Sequence, residues 1–403
     1  MSVDADKTWL PSCYQEIDVQ LCDKSLSVKV EIPLWLHEHE RREGKRPTVL
    51  FRQVREYPDG VVLGNPYPRS VMFAALDVSE NTWLREMSQR LKSAPRALKR
   101  GSGDWQSLTG LDSLPILQHR PRDAGRYITA GITVTKSPEN GHVNLGVYRI
   151  QFVAPRRARI FFDPRTDAHA NWQQSLAGGS PLPIAVFLSA HPVYMLVAAS
   201  RLAPTGNDYD IAAQLLQHEV ELAGDPPVPL DAHYVLRGHV TAQLETEGPF
   251  GEFKGYYVPA RESPVFEIDE VLRSRRPVYP AIVSGAESGL TLMALQNEYL
   301  LYSYLTTEGF PIKRVRYPLE GLGEFVTLIE SERPSLDLVR AAMDFDIRTK
   351  VVFCGPSLAA PWAAVANYGF EVHQEPYIRK GKTEGQRLGF ILNQPPCGDP
   401  VEY

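Results

Sequence analysis

The stretch from residue 125 to residue 164 limits the fold more than any other. It is rich in β-branched and aromatic residues, and apolar side chains alternate over residues 128–134. The Pro-Glu-Asn-Gly sequence at 138–141 is typical of a hairpin turn. Further strands are predicted over residues 143–153 and 158–162. This pattern predicts an antiparallel meander, and therefore a barrel or a sandwich rather than a Rossmann sheet.

The segments on either side of the meander mix helical and strand patterns. Apolar residues alternate over residues 26–32 and predict a strand. A long apolar pattern over residues 288–309 predicts a helix that Gly309 closes, and Ser335 is placed to cap a further helix. Together with the length of 403 residues, this mixture predicts a chain of several domains.

Composition excludes several classes of function. A net charge of −5 offers no bulk positive charge to a nucleic-acid backbone. No run of about 18 apolar residues occurs, so no membrane span is predicted, and the first residues lack the pattern of a secretion signal. Cys13, Cys22, Cys354 and Cys397 lack CxxC spacing and are expected to be reduced thiols. We therefore expect a cytoplasmic protein that binds neither nucleic acid nor a membrane.

The segment Glu-Gly-Pro-Phe-Gly-Glu at 247–252 sets two carboxylates around a turn. Pro249 and the two glycines disfavour a helix here. Two carboxylates held close do not both ionise freely, and the one that keeps its proton can act as a donor. Arg149 of the meander is the candidate cation for the other acid, and it could also clamp a substrate carboxylate. The alternative is a solvated surface turn with an ordinary ion pair, and the spacing alone leaves both open.

Two motifs resemble the UbiD family of prenylated-flavin-dependent (de)carboxylases: YITAGITVTKSPENGHVNLGVYRIQ at 127–151 and EGPFGEFKGYY at 247–257. Further segments resemble family segments in the same order, namely LPILQHRPRDAGRYITAG, PTGNDYDIAAQLL, HYVLRGHV and RRPVYPAIVSGAESGLTLMALQNEYLLYSYL. The likeness extends from about residue 114 to residue 305 and is weak after residue 350.

The resemblance implies an α+β, multi-domain fold. A central antiparallel split β-barrel of the flavin-reductase type is flanked by α/β domains. The implied divisions are an N-terminal α/β region at 1–113, a split-barrel cofactor-binding domain at 114–275 with a helical insertion at about 166–222, and a shortened C-terminal α/β domain at 276–403.

The resemblance also implies the site residues. Catalysis is assigned to Arg149, which would hold the substrate carboxylate, to Glu252 as proton donor, and to Glu247 in a supporting position. Cofactor binding is assigned to Thr129, Asn144, Val147, Tyr148, Arg149 and Arg165. The metal ligands are assigned as Asn144, Asp208 and His169.

The sequence departs from the family pattern around the metal. Asp208 is one carbon shorter than the usual glutamate. Where the family has a histidine ligand, this chain has Arg165 or Thr166. His169, a few residues further on, substitutes for that ligand if the loop is rearranged, and Arg165 could itself hold the flavin phosphate. His191 falls where relatives have small residues near the flavin, and it either points at the substrate or only packs.

The implied function is non-oxidative, reversible decarboxylation of an aromatic, heteroaromatic or α,β-unsaturated carboxylic acid by a carboxy-lyase that uses prenylated FMN. Loss of CO₂ from an sp² carbon leaves electrons that no side chain accepts, so a cofactor must take them. A divalent metal (Mn or Mg), K, a UbiX-type flavin prenyltransferase that supplies the cofactor, and a homodimer also fit the resemblance. Three alternatives stay open: a prenylated-flavin-binding protein without turnover, a flavin oxidoreductase, and an assembly partner without a cofactor.

Overall fold

The computed structural model describes residues 10–15, 17–44, 47–202, 206–252, 255–357, 370–379 and 382–392. The chain forms two compact units. The first, unit 1, comprises Met1–Ser79 and Arg90–Gly289, and the second, unit 2, comprises Glu80–Gln89 and Leu290–Tyr403. The three-domain division with boundaries after residues 113 and 275 stays a prediction. Cys397 lies outside the described residues, and the other three cysteines are buried.

The helices, numbered along the chain, are α1 (Ser12–Gln15), α2 (Glu31–Glu43), α3 (Arg69–Leu76), α4 (Trp83–Arg90), α5 (Asp167–Ala177), α6 (Pro192–Ala198), α7 (Asp208–Leu216), α8 (Glu287–Thr307) and α9 (Leu336–Phe345). The two predicted helix ends are confirmed. Gly309, at φ 85°, follows the end of α8 in a left-handed conformation that favours glycine. The Ser335 hydroxyl caps α9 by accepting the Leu338 N–H.

The strands are β1 (Val19–Cys22), β2 (Thr48–Phe51), β3 (Val62–Gly64), β4 (Leu98–Arg100), β5 (Gln106–Ser107), β6 (Tyr127–Ile128), β7 (Ile132–Lys136), β8 (Val143–Val147), β9 (Ile150–Ala154), β10 (Arg157–Ile160), β11 (Leu182–Leu188), β12 (Val220–Ala223), β13 (Val228–Pro229), β14 (Tyr234–Glu247), β15 (Phe250–Gly251), β16 (Tyr257–Val258), β17 (Arg261–Arg273), β18 (Tyr279–Ala281), β19 (Ile312–Arg316), β20 (Val326–Ser331), β21 (Val351–Gly355), β22 (Phe370–Arg379) and β23 (Lys382–Leu392). Four strands, β7 to β10, lie where the sequence predicted the meander, because the strand predicted over residues 143–153 is divided into β8 and β9.

The main sheet of unit 1 is antiparallel and curls into a half-barrel. Its strands follow the order β6-β9-β10-β17-β14-β11-β7-β8, and β5 pairs with β17 beside this path. The long strands β14 and β17 form its middle and pair from Tyr234 with Arg273 to Glu247 with Arg261. Apolar side chains from these strands, such as the fully buried Phe266, form the main core of the unit.

The order of the strands along the chain differs from their order in the sheet. Strands β6 and β8 are the two edges, β9 lies beside β6, and β7 lies beside β8. The chain therefore passes between the two edge regions twice, at residues 129–131 and at residues 148–149. The second link covers about 11 Å at most, because consecutive Cα atoms are about 3.8 Å apart. The two edges must therefore lie close together, and we call the gap that these two links cross the seam.

The prediction of one strand over residues 143–153 is wrong. Tyr148 and Arg149 interrupt it, because β8 pairs with β7 whereas β9 pairs with β6 and β10. The alternation over residues 128–134 is interrupted in the same way by the first link. Apolar alternation continues across the first break, so the pattern does not reveal it, whereas at the second break the apolar positions shift by one residue, from 143, 145 and 147 to 150 and 152.

The strand predicted over residues 26–32 is also wrong, because α2 begins at Glu31. The preceding residues make isolated bridges to other segments, such as Leu26 with Val54. The Glu31 carboxylate accepts the Ser27 N–H at 2.9 Å, and a negative charge in the first turn also stabilises a helix. This local stabilisation outweighs the short alternating pattern.

Smaller sheets complete unit 1. Strand β18 lies beyond residue 275 in sequence, yet it pairs in parallel with β3 in the sheet β1-β2-β3-β18. Strands β13, β12 and β4 form another sheet, and β15 and β16 form a two-stranded hairpin. The predicted helical insertion at about 166–222 contains α5, α6 and α7. It also contains β11, which lies between β14 and β7 in the half-barrel.

Unit 2 contains a mixed sheet in the order β19-β20-β21-β23-β22. Strands β20, β21 and β23 run parallel to one another, and the outer strands β19 and β22 are antiparallel to their neighbours. Helix α9 packs against β21 and β23. In the described part of the chain, no helix has both the length and the apolar character needed to cross a membrane.

Candidate active site

The turn predicted at 247–252 begins at the end of β14, where this strand pairs with β17. Strand β14 ends at Glu247, and Gly248 follows with φ 89°, a conformation that favours glycine. The chain then forms β15, which pairs with β16 through Phe250 with Val258 and Gly251 with Tyr257. The turn is therefore a folded extension of the half-barrel rather than a solvated surface loop.

Arg149 and Glu247 form a buried ion pair. Arg149 lies at the seam between β8 and β9, and its Nη2 donates to Glu247 Oε2 at 2.8 Å. The side chain of Glu247 is fully buried, and that of Arg149 is 13% exposed. The two residues are 98 positions apart in sequence. The structure thus brings together the cation and the first acid that the sequence singled out.

Aromatic and polar groups surround this pair. Arg149 Cζ lies 5.8 Å from the ring centre of Phe161 and 5.5 Å from that of Phe250. The ring of Tyr127 contacts Phe250 with centroids 4.5 Å apart. Burial raises the pKa of the Tyr127 hydroxyl, and the negative charge of Glu247 raises it further. The pair therefore sits in a largely apolar environment in which charge interactions are strong.

Glu252 lies on the same turn, two positions after Phe250. It is half-buried. Its backbone N–H donates to the Tyr256 carbonyl at 2.8 Å, and its carbonyl accepts the Gly255 N–H at 3.1 Å. The second acid of the motif is thus carried by the segment that contacts Arg149 through Phe250.

Asn144 and Asp208, two of the predicted metal ligands, are adjacent. Asn144 Nδ2 donates to Asp208 Oδ2 at 3.2 Å, and the same oxygen accepts the Leu145 N–H at 2.7 Å. Burial raises the pKa of Asp208 to about 6. The Asn144 Oδ1 atom is buried and has no hydrogen-bond partner within the described residues. An amide oxygen and a carboxylate in this arrangement can bind a hard cation.

The third predicted ligand, His169, lies on α5, where its ring contacts Trp172 with centroids 5.7 Å apart. Among the residues that the structure describes, no group of three or more His, Cys, Asp or Glu side chains is arranged to hold a metal ion. The complete metal site therefore stays a prediction, of which the structure contains an adjacent pair.

The predicted cofactor residues lie along β8 and at the seam. Thr129 is in the first link, Val147 ends β8, and Tyr148 is in the second link. The Tyr148 ring covers Gly146 and meets Phe162 edge-on at 5.0 Å between centroids. Burial raises the pKa of Tyr148 to about 12.

Arg165, the candidate for the phosphate, follows β10 and has a side chain that is 83% exposed. Its Nε and Nη2 donate to the two carboxylate oxygens of Asp163, each at 2.9 Å. This pairing holds the pKa of Asp163 at about 2. Arg165 is therefore paired within its own loop in this structure.

His191 caps α6. Its ring Nδ1 accepts the Val193 N–H at 3.4 Å, and its backbone N–H donates to the Asp231 carboxylate at 2.8 Å. Burial lowers the pKa of His191 to about 4. These contacts favour the packing interpretation over a role at the substrate.

Sequence reasoning missed Asp123, which secures the turn. This buried carboxylate accepts the Gly251 N–H at 2.9 Å and the Arg120 N–H at 2.7 Å. Its sequence context, Arg-Pro-Arg-Asp, is typical of a solvated segment. No pattern there indicates that the carboxylate is buried.

A cleft of about 270 Å³ lies on unit 1 next to the Asn144–Asp208 pair. Its lining includes residues that flank this pair in the chain, namely Val143, Asn207 and Tyr209. Basic side chains, Lys99, Arg100 and Lys136, also line it. Lys136 Nζ is bound to Asp225 at 2.8 Å.

Comparison with known proteins relates this geometry to a family. Residues 94–287 match the UbiD family model, described as the 3-octaprenyl-4-hydroxybenzoate carboxy-lyase Rift-related domain. The anhydromevalonate phosphate decarboxylase of Archaeoglobus fulgidus is 29% identical over 197 residues, which cover 49% of this chain and 45% of that protein. The chain spans less than half the length of the curated relatives it matches.

Solved structures show the same fold over nearly the whole chain. The UbiD-class enzyme HmfF from Pelotomaculum thermopropionicum, in an evolved dimeric form with prFMN, has a TM-score of 0.85 at 24% identity and covers 98% of this chain and 96% of its own. The apo 3,4-dihydroxybenzoic acid decarboxylase of Klebsiella pneumoniae has a TM-score of 0.84 at 16% identity, with 96% of each chain covered. The predicted mixed α+β fold is confirmed. So is the resemblance that the sequence indicated, because residues 94–287 match the Rift-related domain of the UbiD family.

Proposed function

We propose that this chain is a prenylated-FMN-dependent carboxy-lyase. It would catalyse the non-oxidative, reversible decarboxylation of an aromatic, heteroaromatic or α,β-unsaturated carboxylic acid. The observation that carries the proposal is the buried Arg149–Glu247 pair at the seam, with Glu252 on the adjoining turn. A structural ion pair does not require a second acid on the separately secured turn that follows it.

Unpartnered buried atoms fit the cofactor. Within the described residues, Asn144 Oδ1 and Arg149 Nε are buried without hydrogen-bond partners. Asn144 and Asp208 would hold a divalent metal, Mn or Mg, with K beside it, and the metal would hold the flavin phosphate. Arg165 would reach the phosphate if it released Asp163. From Asn144 to Arg149 the chain spans about 16 Å at most, which is the scale of a flavin mononucleotide.

In this proposal the half-barrel is a flavin-reductase-like split barrel, and the seam faces the flavin ring. Thr129, Val147 and Tyr148 would contact the cofactor there, since they lie in or beside the two links. When bound, the prenylated flavin would supply the electron sink that decarboxylation at an sp² carbon needs.

The chain's own residues would perform the remaining tasks. Arg149 would hold the substrate carboxylate, because its guanidinium is fixed by Glu247 and keeps a buried N–H without a partner among the described residues. Glu247 would hold Arg149 in place. Glu252, at a half-buried position, would deliver a proton to the carbon that loses CO₂ and regain one from solvent.

The names of relatives support the reaction class. The matched relative from Archaeoglobus fulgidus is named a decarboxylase, and so is the Klebsiella pneumoniae structure, whose named acid is aromatic.

A UbiX-type flavin prenyltransferase would supply the cofactor. A homodimer fits the evolved dimeric form of HmfF. A cytoplasmic location is part of the proposal, as the spacing of the cysteines in the sequence leads us to expect.

The test is to produce the protein together with a flavin prenyltransferase, record its absorbance spectrum and the mass of the bound ligand, and screen carboxylic acids for CO₂ release. Glu252→Gln should abolish product formation while the flavin stays bound, and Arg149→Ala should lose both activity and cofactor competence. Glu262→Gln, an exposed acid of β17 beside the turn, is the control and should keep activity.

Other outcomes would favour the alternatives. Flavin binding without CO₂ release or deuterium exchange into any product would indicate a binding protein. Bleaching of the flavin by reduced nicotinamide would indicate an oxidoreductase. A colourless protein after co-production would indicate a partner without a cofactor. Wild-type rates in Glu252→Gln would remove that residue from the mechanism.

A further inference from the structure

The turn that carries Glu252 has little support of its own. Strands β15 and β16 are two residues each, paired through Phe250 with Val258 and Gly251 with Tyr257. An isolated two-stranded hairpin is marginally stable at best. A proton donor needs a fixed position, because catalysis depends on the distance between donor and acceptor. The support for this turn must come from elsewhere in unit 1.

That support comes from the segment at residues 120–124. Asp123 Oδ1 accepts the Gly251 N–H at 2.9 Å, and the Ala124 N–H donates to the Pro249 carbonyl at 2.9 Å. Asp123 is only 6% exposed. These two bonds hold the backbone on either side of Phe250. The bond to the Gly251 N–H is made one residue before Glu252.

Arg120 completes the support. Its backbone N–H donates to the second oxygen of Asp123 at 2.7 Å, which fixes the orientation of the carboxylate. Its side chain packs against Gly251, where an added Cβ would be 2.5 Å from Arg120 Cδ. Its Nη2 reaches the Ser284 carbonyl at 2.9 Å. Arg120 therefore holds the Asp123 carboxylate through one oxygen, and the carboxylate holds the turn at Gly251 through the other.

We propose that Asp123 is a positioning residue for Glu252, fixing the proton donor of the proposed reaction through the Gly251 N–H. The role requires a carboxylate, since both oxygens accept backbone N–H groups. An asparagine would accept one of them and turn an N–H₂ group towards the other donor. The catalytic part of this proposal rests on the proposed function. The hydrogen bond that ties the Gly251 N–H to Asp123 does not depend on it.

The experiment uses Asp123→Asn in the full-length, flavin-loaded protein. Amide hydrogen exchange over residues 249–257 should become faster, while exchange elsewhere in the half-barrel stays unchanged. The kcat should fall about 10- to 100-fold, as expected when a catalytic group is displaced by about 1 Å. KM should change by less than about twofold, because Arg149 still holds the substrate. The solvent deuterium isotope effect on kcat should increase, because proton delivery becomes slower than the other steps.

The matched control is Asp346→Asn, the same chemical change at a largely buried carboxylate in unit 2 that also accepts a backbone N–H, from Arg348 at 2.9 Å. It should lower stability without changing the isotope effect. Unchanged exchange at residues 249–257, or an unchanged kcat despite faster exchange, would overturn the proposal. If the wild-type protein binds flavin but turns over no acid, the proposed function fails and the catalytic part of this proposal with it, whereas faster exchange in Asp123→Asn would still establish the tie.

Discussion

Asn144 and Asp208 are 64 positions apart in the chain and adjacent in space, with Asn144 Nδ2 donating to Asp208 Oδ2 at 3.2 Å. The two come from different kinds of element. Asn144 is in an edge strand of the half-barrel, and Asp208 is the first residue of α7. The Leu145 N–H also donates to Asp208, so the carboxylate joins the helix to the edge strand. The same carboxylate would also be the main source of negative charge for a cation at Asn144.

The first prediction concerns pH and metal. Because burial raises the pKa of Asp208 to about 6, a cation must displace a proton from this carboxylate below that pH. Metal affinity should therefore fall by about tenfold per pH unit below pH 6 and level off above it. Mn content after dialysis at pH 5 and at pH 7.5, measured by elemental analysis, tests this.

Asp208→Asn should lose the metal at both pH values, and Asp210→Asn, two residues further along α7, should retain it. Equal metal content in the wild-type protein at pH 5 and pH 7.5 would contradict the assignment of Asp208. A chelator should release flavin together with metal if the metal holds the phosphate.

The second prediction concerns the buried ion pair. Arg149→Met leaves the fully buried Glu247 carboxylate without its partner, so it should lower the free energy of unfolding by about 3–5 kcal/mol. The double variant Arg149→Met, Glu247→Leu removes both charges and should recover at least half of the loss. Guanidinium unfolding of the two variants measures both values.

The control for this pair is Arg165→Met, which breaks an exposed pair with Asp163 and should cost less than about 1 kcal/mol. If Arg149→Met were no less stable than Arg165→Met, the buried pair would not stabilise the fold in the way proposed here.

Local patterns predicted the elements of the fold and not their connections. The Asn-Gly turn, the strands around it, the Ser335 cap and the end of α8 all depend on residues close in sequence. The breaks at residues 129–131 and at Tyr148–Arg149 depend on which edge each strand joins. At the first break the apolar alternation continues unchanged, and at the second its shift by one residue does not say which strands pair.

The candidate site could be predicted in part for the same reason. Arg149 and Glu247 were candidates from the residues themselves, with a surface ion pair as the alternative, and the resemblance supplied Asp208 and the roles of all three. Asp123 was missed, since a carboxylate between arginines resembles a solvated residue. The bond that distinguishes it is made to Gly251, which is 128 positions away.

The third prediction concerns the seam. A Cβ at position 146 would lie 2.4 Å from the Tyr148 ring, so Gly146→Ala must displace that ring. We expect the variant to fold but to bind much less flavin, measured as the ratio of flavin to protein absorbance after co-production. Tyr148→Phe keeps the ring and removes the hydroxyl, so it should bind flavin as the wild type does. Full flavin binding by Gly146→Ala would remove Tyr148 from the cofactor site.

The last prediction concerns acid stability. Burial lowers the pKa of His233 to about 4, as it does for His119 and His191, so the folded state favours neutral imidazole. A group with a lowered folded-state pKa adds stability above its unfolded pKa, near 6.5, and loses it as the pH falls towards 4. In His233, protonation would also remove the Nδ1 acceptor of the Val278 N–H, which lies at 3.1 Å.

The unfolding free energy should therefore decrease between pH 6.5 and pH 4, by at most about 3 kcal/mol for each such histidine. His233→Asn keeps an acceptor for the Val278 N–H and cannot be protonated in this range. As the pH falls, the unfolding free energy of the variant should therefore rise relative to that of the wild type. His142→Asn, at an exposed position of the hairpin turn, serves as the control. Parallel pH profiles for wild type and His233→Asn in guanidinium unfolding would show that burial of this imidazole does not govern its titration.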